Sequence, residues 1–328
     1  MIKKSVLACL FATAMLSLSA HAADKIRMGV VVKVGGNAWF NAMEAGIKSE
    51  AAKRGIDAWQ VGPTSADPAL QVRAIEDLIA QKVDVIGVVP NDARVLEPVL
   101  KRAHDAGIKV IVHESPDQKY ADWDFEMVDA TQHGINHMVA LAQCMKEKGD
   151  YAVYVGSLTV PLHQKWADAA INYQKEHYPD MHLVGDKFGV GESLDDSIRT
   201  TNDLMSKDAN LKGILAIGSQ GPIGAGRAVL NRGKTDDVCV FGPFSPGQGA
   251  SLVKAGAIKG GFIWNPMVAG EVFVRIAEKL EKGEKITDGM TIEGMGKVKV
   301  DEATRTILGN ETESLDKANL PKLVKMGL

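Results

Sequence analysis

The feature that most constrains this chain is an alternation: an apolar run passes through a glycine turn into a helically spaced segment, and the unit then repeats. Residues 28–32, Met-Gly-Val-Val-Val, are too few for a helix and rich in β-branched side chains. A strand buried on both faces of a parallel sheet has this composition. The run ends at Lys33. After the turn Gly35-Gly36-Asn37, the residues Phe40, Met43, Ile47 and Ala51 recur at helical spacing, and Gly55 supplies a C-cap. Further strands are predicted at 56–61, 83–89 and 108–112, with helices opening at Asp67-Pro68 and at Asp92. Strands therefore begin roughly every 25–30 residues, the length of a βα unit with short loops. The segment 116–131 is polar and turn-rich, which suits a crossing between domains. The rhythm then restarts with a helix over 132–148 and strands at 152–155, 183–188, 213–217, 238–241 and 258–263. Right-handed crossovers make each series a parallel sheet with helices on both faces. A chain of 328 residues accommodates two such halves.

The first residues point to export. Lys3 and Lys4 precede an apolar stretch over 6–18 and then Ala20-His21-Ala22, the layout of a signal peptide occupying 1–23. No other stretch approaches ~18 uninterrupted apolar residues, so no membrane insertion is expected. The net charge of −3, without a Lys/Arg stripe, argues against nucleic acid as a partner. Beyond the leader the cysteines are Cys144 and Cys239. An exported protein permits a disulfide between them, and two buried thiols fit the pattern equally well.

Residues just past the strands are the candidate site, because ligands of open α/β sheets bind at the carboxyl edge of the strands. They are Lys33, Trp39 and Phe40; Asn91 and Asp92; Glu114; His163, Gln164 and Trp166; Ser219 and Gln220; Phe244; and Trp264 and Asn265. Three of the five tryptophans fall in this set, although aromatics make up only 5% of the chain. Flat rings beside carboxylate, amide and ammonium groups suit a small polyhydroxylated ligand. Lys33 and Glu114 are the most specific members, since a charge directly after a buried strand costs free energy unless a partner answers it. Asp92 reads better as a helix N-cap, and Trp166 and Phe40 are also reasonable core residues. The dinucleotide G-x-G-x-x-G, the P-loop and the G-x-S-x-G elbow are all absent. His133 and His137 share a helical face but lack the Glu of H-E-x-x-H, and the glycines 218, 221, 224 and 226 match neither phosphate fingerprint. No catalytic residue, metal or cofactor is expected.

The stretches VVKVGGNAWFNAMEAGIKSEAAKRG, VGPTSADPALQVRAIEDLIAQKVDVIGVVPND, LKRAHDAGIKVIVHES, SLTVPLHQKW, ILAIGSQGPIGAGRAV and FIWNPMVAGE resemble the ribose-type periplasmic binding proteins of ABC sugar importers. Within them the chain is most similar to the branch of the autoinducer-2 and rhamnose binders. The resemblance implies an α/β, type I periplasmic binding protein fold: two doubly wound parallel-sheet lobes joined by a multi-strand hinge. It divides the chain into an N-terminal lobe of 24–127 plus 266–290 and a C-terminal lobe of 128–265 plus 291–328. It further implies a monomer that hands a sugar-like ligand to an ABC transporter permease in the periplasm, or alternatively presents it to a membrane sensor. In that branch Lys33, Phe40, Trp166 and Trp264 match ligand-contacting positions, and Glu114 stands where the autoinducer-2 binder has an aspartate. Leu162 and His163 replace an adjacent Asp and Gln, and Asn265 replaces an acid. Those departures favour a pentose, deoxyhexose or polyol over autoinducer-2.

Overall fold

The structure is a computed structural model that describes residues 25–116 and 118–328. The span read as an export signal lies outside the described residues. The first lobe opens with β1 (Arg27–Val31), α1 (Ala38–Arg54), β2 (Asp57–Val61), α2 (Pro68–Ala80), β3 (Val85–Val88), α3 (Ala93–Asp105), β4 (Lys109–His113) and β5 (Trp123–Glu126). The second contains α4 (Ala130–Met145), β6 (Gly149–Val155), α5 (Pro161–His177), β7 (Met181–Leu183), β8 (Phe188–Gly189) and α6 (Leu194–Lys207). It continues with β9 (Leu211–Ala216), α7 (Gly221–Asn231), β10 (Cys239–Phe241), α8 (Pro246–Lys254) and β11 (Phe262–Ile263). The chain ends with α9 (Pro266–Glu281), β12 (Thr291–Ile292), β13 (Gly296–Lys297), β14 (Lys299–Asp301), β15 (Thr306–Leu308), β16 (Glu313–Ser314) and α10 (Leu320–Lys325).

The first sheet has the order β14-β15-β5-β4-β3-β1-β2, parallel except for the edge strand β14. The second runs β10-β9-β6-β7, with β8 also pairing β6, and is parallel throughout. Met28, Val30, Val31 and Val32 are fully buried, so β1 is covered on both faces as its composition requires. Helix α9 leaves the second lobe and lies against α1. Two glycines permit that approach: a Cβ on Gly46 would stand 1.9 Å from Met267 O, and one on Gly270 would stand 2.1 Å from Met43 O. Around this contact Glu50 accepts from Arg275 Nε and Arg54 Nε, each at 2.8 Å.

Two expectations change. The crossing expected within 116–131 falls at its end, after β5, which is itself an interior strand of the first sheet. Its sequence, Trp-Asp-Phe-Glu, is short and carries two acids, so it does not read as a buried strand. The C-terminal boundary moves as well: Arg275 of α9 donates to Glu293 O beside β12, and β14 and β15 extend the first sheet, so 291–308 goes with the first lobe. β16 pairs with β11, and α10 packs on α8, in the second lobe. The chain thus passes between the lobes after β5, after β11 and after β15. Two of these passages are tied together by Gly309 N–H to Glu126 O at 2.8 Å and Glu311 N–H to Met127 O at 2.9 Å. Cys144 of α4 and Cys239 of β10 form a disulfide, with Cα atoms 6.1 Å apart.

Candidate functional site

Between the facing carboxyl edges of the two sheets lies a narrow cavity lined by Lys33, Trp39, Phe40, Glu114, His163, Trp166, Glu192, Gly218, Ser219, Pro243 and Trp264. Its centre is Lys33, two residues past β1 and only 2% exposed. Lys33 Nζ lies 2.5 Å from Glu114 Oε2 in its own lobe, and 3.7 Å from Glu192 Oε1 and 3.0 Å from His163 Nε2 in the other. Glu114 follows β4 directly and holds a left-handed backbone at φ +64°. That conformation costs a non-glycine residue about 1–2 kcal/mol, a strain of the kind found where a side chain must be aimed.

A second chain of hydrogen bonds crosses the cleft. Asn37 caps α1 through Oδ1, which accepts from Phe40 N–H, while its Nδ2 donates to Ser219 Oγ at 3.2 Å. Ser219 Oγ in turn donates to Glu192 Oε2 at 2.6 Å. At the rim Thr159 Oγ1 donates to Asn91 O at 3.0 Å. These contacts hold the lobes closed on each other.

The aromatic wall centres on Trp264. Trp39 meets it edge-on at 5.6 Å and Trp166 at 5.4 Å, and Trp166 lies under the His163 ring at 5.2 Å and 24°. The Nε1 atoms of Trp166 and Trp264 are buried with no hydrogen-bond partner among the described residues, so both N–H groups remain available donors. Burial pushes the Glu192 carboxyl above its ordinary range, with Lys33 opposing the shift. Burial, then Lys33 and His133, push His163 well below its ordinary value, so its ring is neutral. The result is a small enclosed space with fixed donors, two carboxylates and flat apolar faces. Such a space recognises hydroxyls and C–H surfaces.

Eight of the expected site residues line this space: Lys33, Trp39, Phe40, Glu114, His163, Trp166, Ser219 and Trp264. The other six do not line it. Asp92 and Asn265 spend their carboxyl and amide oxygens capping α3 and α9. Asn91 supports Lys33 from behind, donating from Nδ2 to Lys33 O at 2.9 Å. Gln164 and Gln220 are turned toward Ser157 O and Gln248, and Phe244 packs into the core beside Gly249. Glu192 is a lining residue outside the expected set. It carries the same signal as Lys33 and Glu114, a charge shortly after a strand, but the strand expected at 183–188 is split into β7 and β8, and the chain reaches the cavity only after Gly189. His133 and His137 are buried behind the tryptophans. His137 is occupied by His133 O at 2.9 Å and by Phe262 N–H at 3.1 Å. Among the described residues no group of three metal-ligating side chains occurs.

A family model described as "Periplasmic binding protein domain" matches residues 28–285. The chain belongs to that family. As a periplasmic binding protein it is 24% identical over 276 residues to the ribose import binding protein RbsB of Salmonella typhimurium, covering 82% of this chain and 90% of that one. Over 81 residues it is 38% identical to the galactofuranose-binding protein YtfQ of Escherichia coli, covering 24% and 25% of the two chains. Among solved structures it is similar to an ABC transporter solute binding protein from Clostridium phytofermentas with bound L-rhamnose. The TM-score is 0.85 at 22% identity, with 92% of this chain and 99% of that one covered. LsrB from Clostridium saccharobutylicum in complex with AI-2 is similar at TM-score 0.85 and 21% identity, covering 90% and 99%. At these identities the structural likeness shows the type I periplasmic binding protein fold. No helix among the described residues is long and apolar enough to cross a membrane.

Proposed function

We propose that this protein works in the periplasm, where it closes its two lobes on an uncharged sugar-like molecule and delivers it to an ABC permease without transforming it. The ligand class is a pentose, deoxyhexose or polyol. One observation carries the reading: a buried lysine of one lobe is paired with a carboxylate of its own lobe and faces a carboxylate and an imidazole of the other. A ligand bound among these groups contacts both lobes at once, and such differential contact is what favours a closed form over an open one. The three tryptophans supply faces for the C–H side of a sugar. Relatives named for ribose and galactofuranose, and solved structures with rhamnose, arabinose and fucose, support the same class.

The test is thermal unfolding of the mature chain against L-rhamnose, L- and D-arabinose, D-ribose, D-fucose, D-tagatose and simple polyols. A sugar that binds only the folded state adds ~2.7 kcal/mol at a hundredfold excess over its dissociation constant, and the midpoint rises accordingly. Lys33→Ala removes that rise. A panel with no response at all counts against the sugar reading.

A further inference from the structure

His163 is held in one hydrogen-bonding role by its own lobe. The backbone N–H of Gly156, at the end of β6, donates to His163 Nδ1 at 3.0 Å. The backbone comes that close because residue 156 is glycine; a Cβ there would stand 2.8 Å from Nδ1 and 3.0 Å from Cε1. The Trp166 ring stacks on the imidazole at 24° and fixes its plane. An imidazole whose Nδ1 accepts carries its single proton on Nε2 when neutral. Nε2 therefore donates, and it faces Lys33 Nζ at 3.0 Å. An ammonium also has only donors, so this short contact is not a hydrogen bond. Glu114 Oε2 lies 3.8 Å from Nε2, beyond hydrogen-bonding distance, and is already engaged by Lys33 at 2.5 Å. Two buried donors converge, and among the described residues no acceptor is seated between them.

We propose that His163 is the specificity-determining donor of the site: its Nε2–H and the Lys33 ammonium converge on one oxygen of the ligand, which must accept from both. The roles of the remaining groups define the rest of that end. Glu192 Oε2 already accepts from the Ser219 hydroxyl, which leaves Oε1 for the ligand, 3.7 Å from Lys33. Glu114 adds a second carboxylate. The ligand therefore presents an oxygen that accepts twice, a hydroxyl or carbonyl, next to a hydroxyl that donates to a carboxylate. A vicinal diol or an α-hydroxy carbonyl meets this requirement. A carboxylate or a methylene at the accepting position does not: the first faces Glu114 and Glu192, and the second leaves both donors unpaired. The inference rests on the ligand-capture reading above for its ligand, while the tautomer stands independently of it.

The experiment has two parts. Long-range ¹H–¹⁵N correlation on the unliganded wild-type chain, with the His163 signals assigned by comparison with His163→Gln, should show a protonated Nε2 and an accepting Nδ1. The opposite tautomer, or a doubly protonated ring at neutral pH, overturns the proposal. In the second part, wild type, His163→Gln and His163→Glu are titrated with L-rhamnose, D-arabinose, D-ribose and 2-deoxy-D-ribose, following the unfolding midpoint. His163→Gln keeps an N–H and should bind the sugars that wild type binds within about tenfold, whereas His163→Glu supplies only acceptors and should lose about a hundredfold or more. Equal binding by all three proteins overturns the proposal and leaves sugar capture standing. A flat wild-type panel overturns sugar capture and the ligand assignment together, and the spectrum still decides the tautomer.

Discussion

Two buried charge clusters in this molecule have opposite characters. Between α1 and α9, Glu50 is 2% exposed, yet its Oε1 accepts from Arg275 and Arg54 and its Oε2 from Lys53. Arg275 has further acceptors in Glu271 and the Glu293 carbonyl, and Arg54 pairs with Glu278. Every strong valence is used within one lobe. Burial by itself would raise the Glu50 carboxyl, but these cations outweigh it and hold the group at about 2. At the cleft, Lys33 is equally buried but sits among two carboxylates and a neutral imidazole drawn from both lobes, and Glu192 is pushed upward. The first cluster is closed on itself and fastens helices. The second has spare valences that point into a cavity. Burial of charge alone does not separate structural glue from a binding site; what separates them is whether the hydrogen-bonding capacity is exhausted.

The widest separation between the two clusters should come from paired substitutions. Arg275→Met leaves Glu50 buried with weakened compensation and should destabilise the protein by about 3–5 kcal/mol, read by denaturant unfolding, while sugar affinity is retained. Lys33→Ala should do the reverse, abolishing the ligand-induced rise in midpoint with a smaller loss of stability. If the two variants behave alike, the distinction drawn above is wrong.

Removing the disulfide extends the structural side of the comparison. Cys239 begins β10, at the end of the strand away from the cavity, and the bridge spans 95 residues. Cys144→Ser with Cys239→Ser should cost about 2–4 kcal/mol and leave ligand preference unchanged. Gly156→Ala probes the other side. Its Cβ displaces the His163 ring at a cost of about 1–3 kcal/mol in strain, and binding should weaken far more than the same substitution at the solvent-facing Gly283 would allow.

The smallest effects are in pH. Glu50 has a folded value depressed below its unfolded one, near 4.5, so its stabilisation is present above pH 4.5 and is lost as the pH falls toward 2. Glu192 has a raised folded value, so the folded state binds its proton more tightly. Its contribution is favourable at low pH and is lost as pH rises above 4.5. Glu192→Gln should therefore raise the midpoint of the unliganded protein at neutral pH and flatten its decline with pH, while weakening sugar binding. An unchanged pH profile would show that Glu192 is ionised at little cost, and that its spare valence is smaller than the geometry indicates.

Much of the site was legible because one rule, a polar or aromatic residue in the loop or first helical turns after a buried strand, is local. Lys33, Glu114, His163 and the three tryptophans all satisfy it, and all line the cavity. The same rule also selected Asp92 and Asn265, whose oxygens cap helices α3 and α9. A residue at a strand's carboxyl end is usually also at a helix's amino end, so cap and ligand contact look alike in sequence. Glu192 escaped because β8 has only two residues and gives no apolar run to count from.

The sequence by itself determined the βα alternation, the two series of parallel strands and the position of the ligand edge, because burial on both faces of a sheet and helical spacing are written in consecutive residues. Tertiary structure alone decided which lobe receives each late segment, with β14 and β15 joining the first sheet, β16 pairing with β11 and α10 packing on α8 in the second lobe. It also decided that Cys144 meets Cys239, and that Lys33 stands between Glu114, Glu192 and His163. Those partners lie 81 to 159 residues from Lys33 along the chain. No short-range pattern encodes such pairings, because the free energy that selects them arises only when distant segments pack within a lobe, as for Glu114, or when the two lobes meet, as for Glu192 and His163.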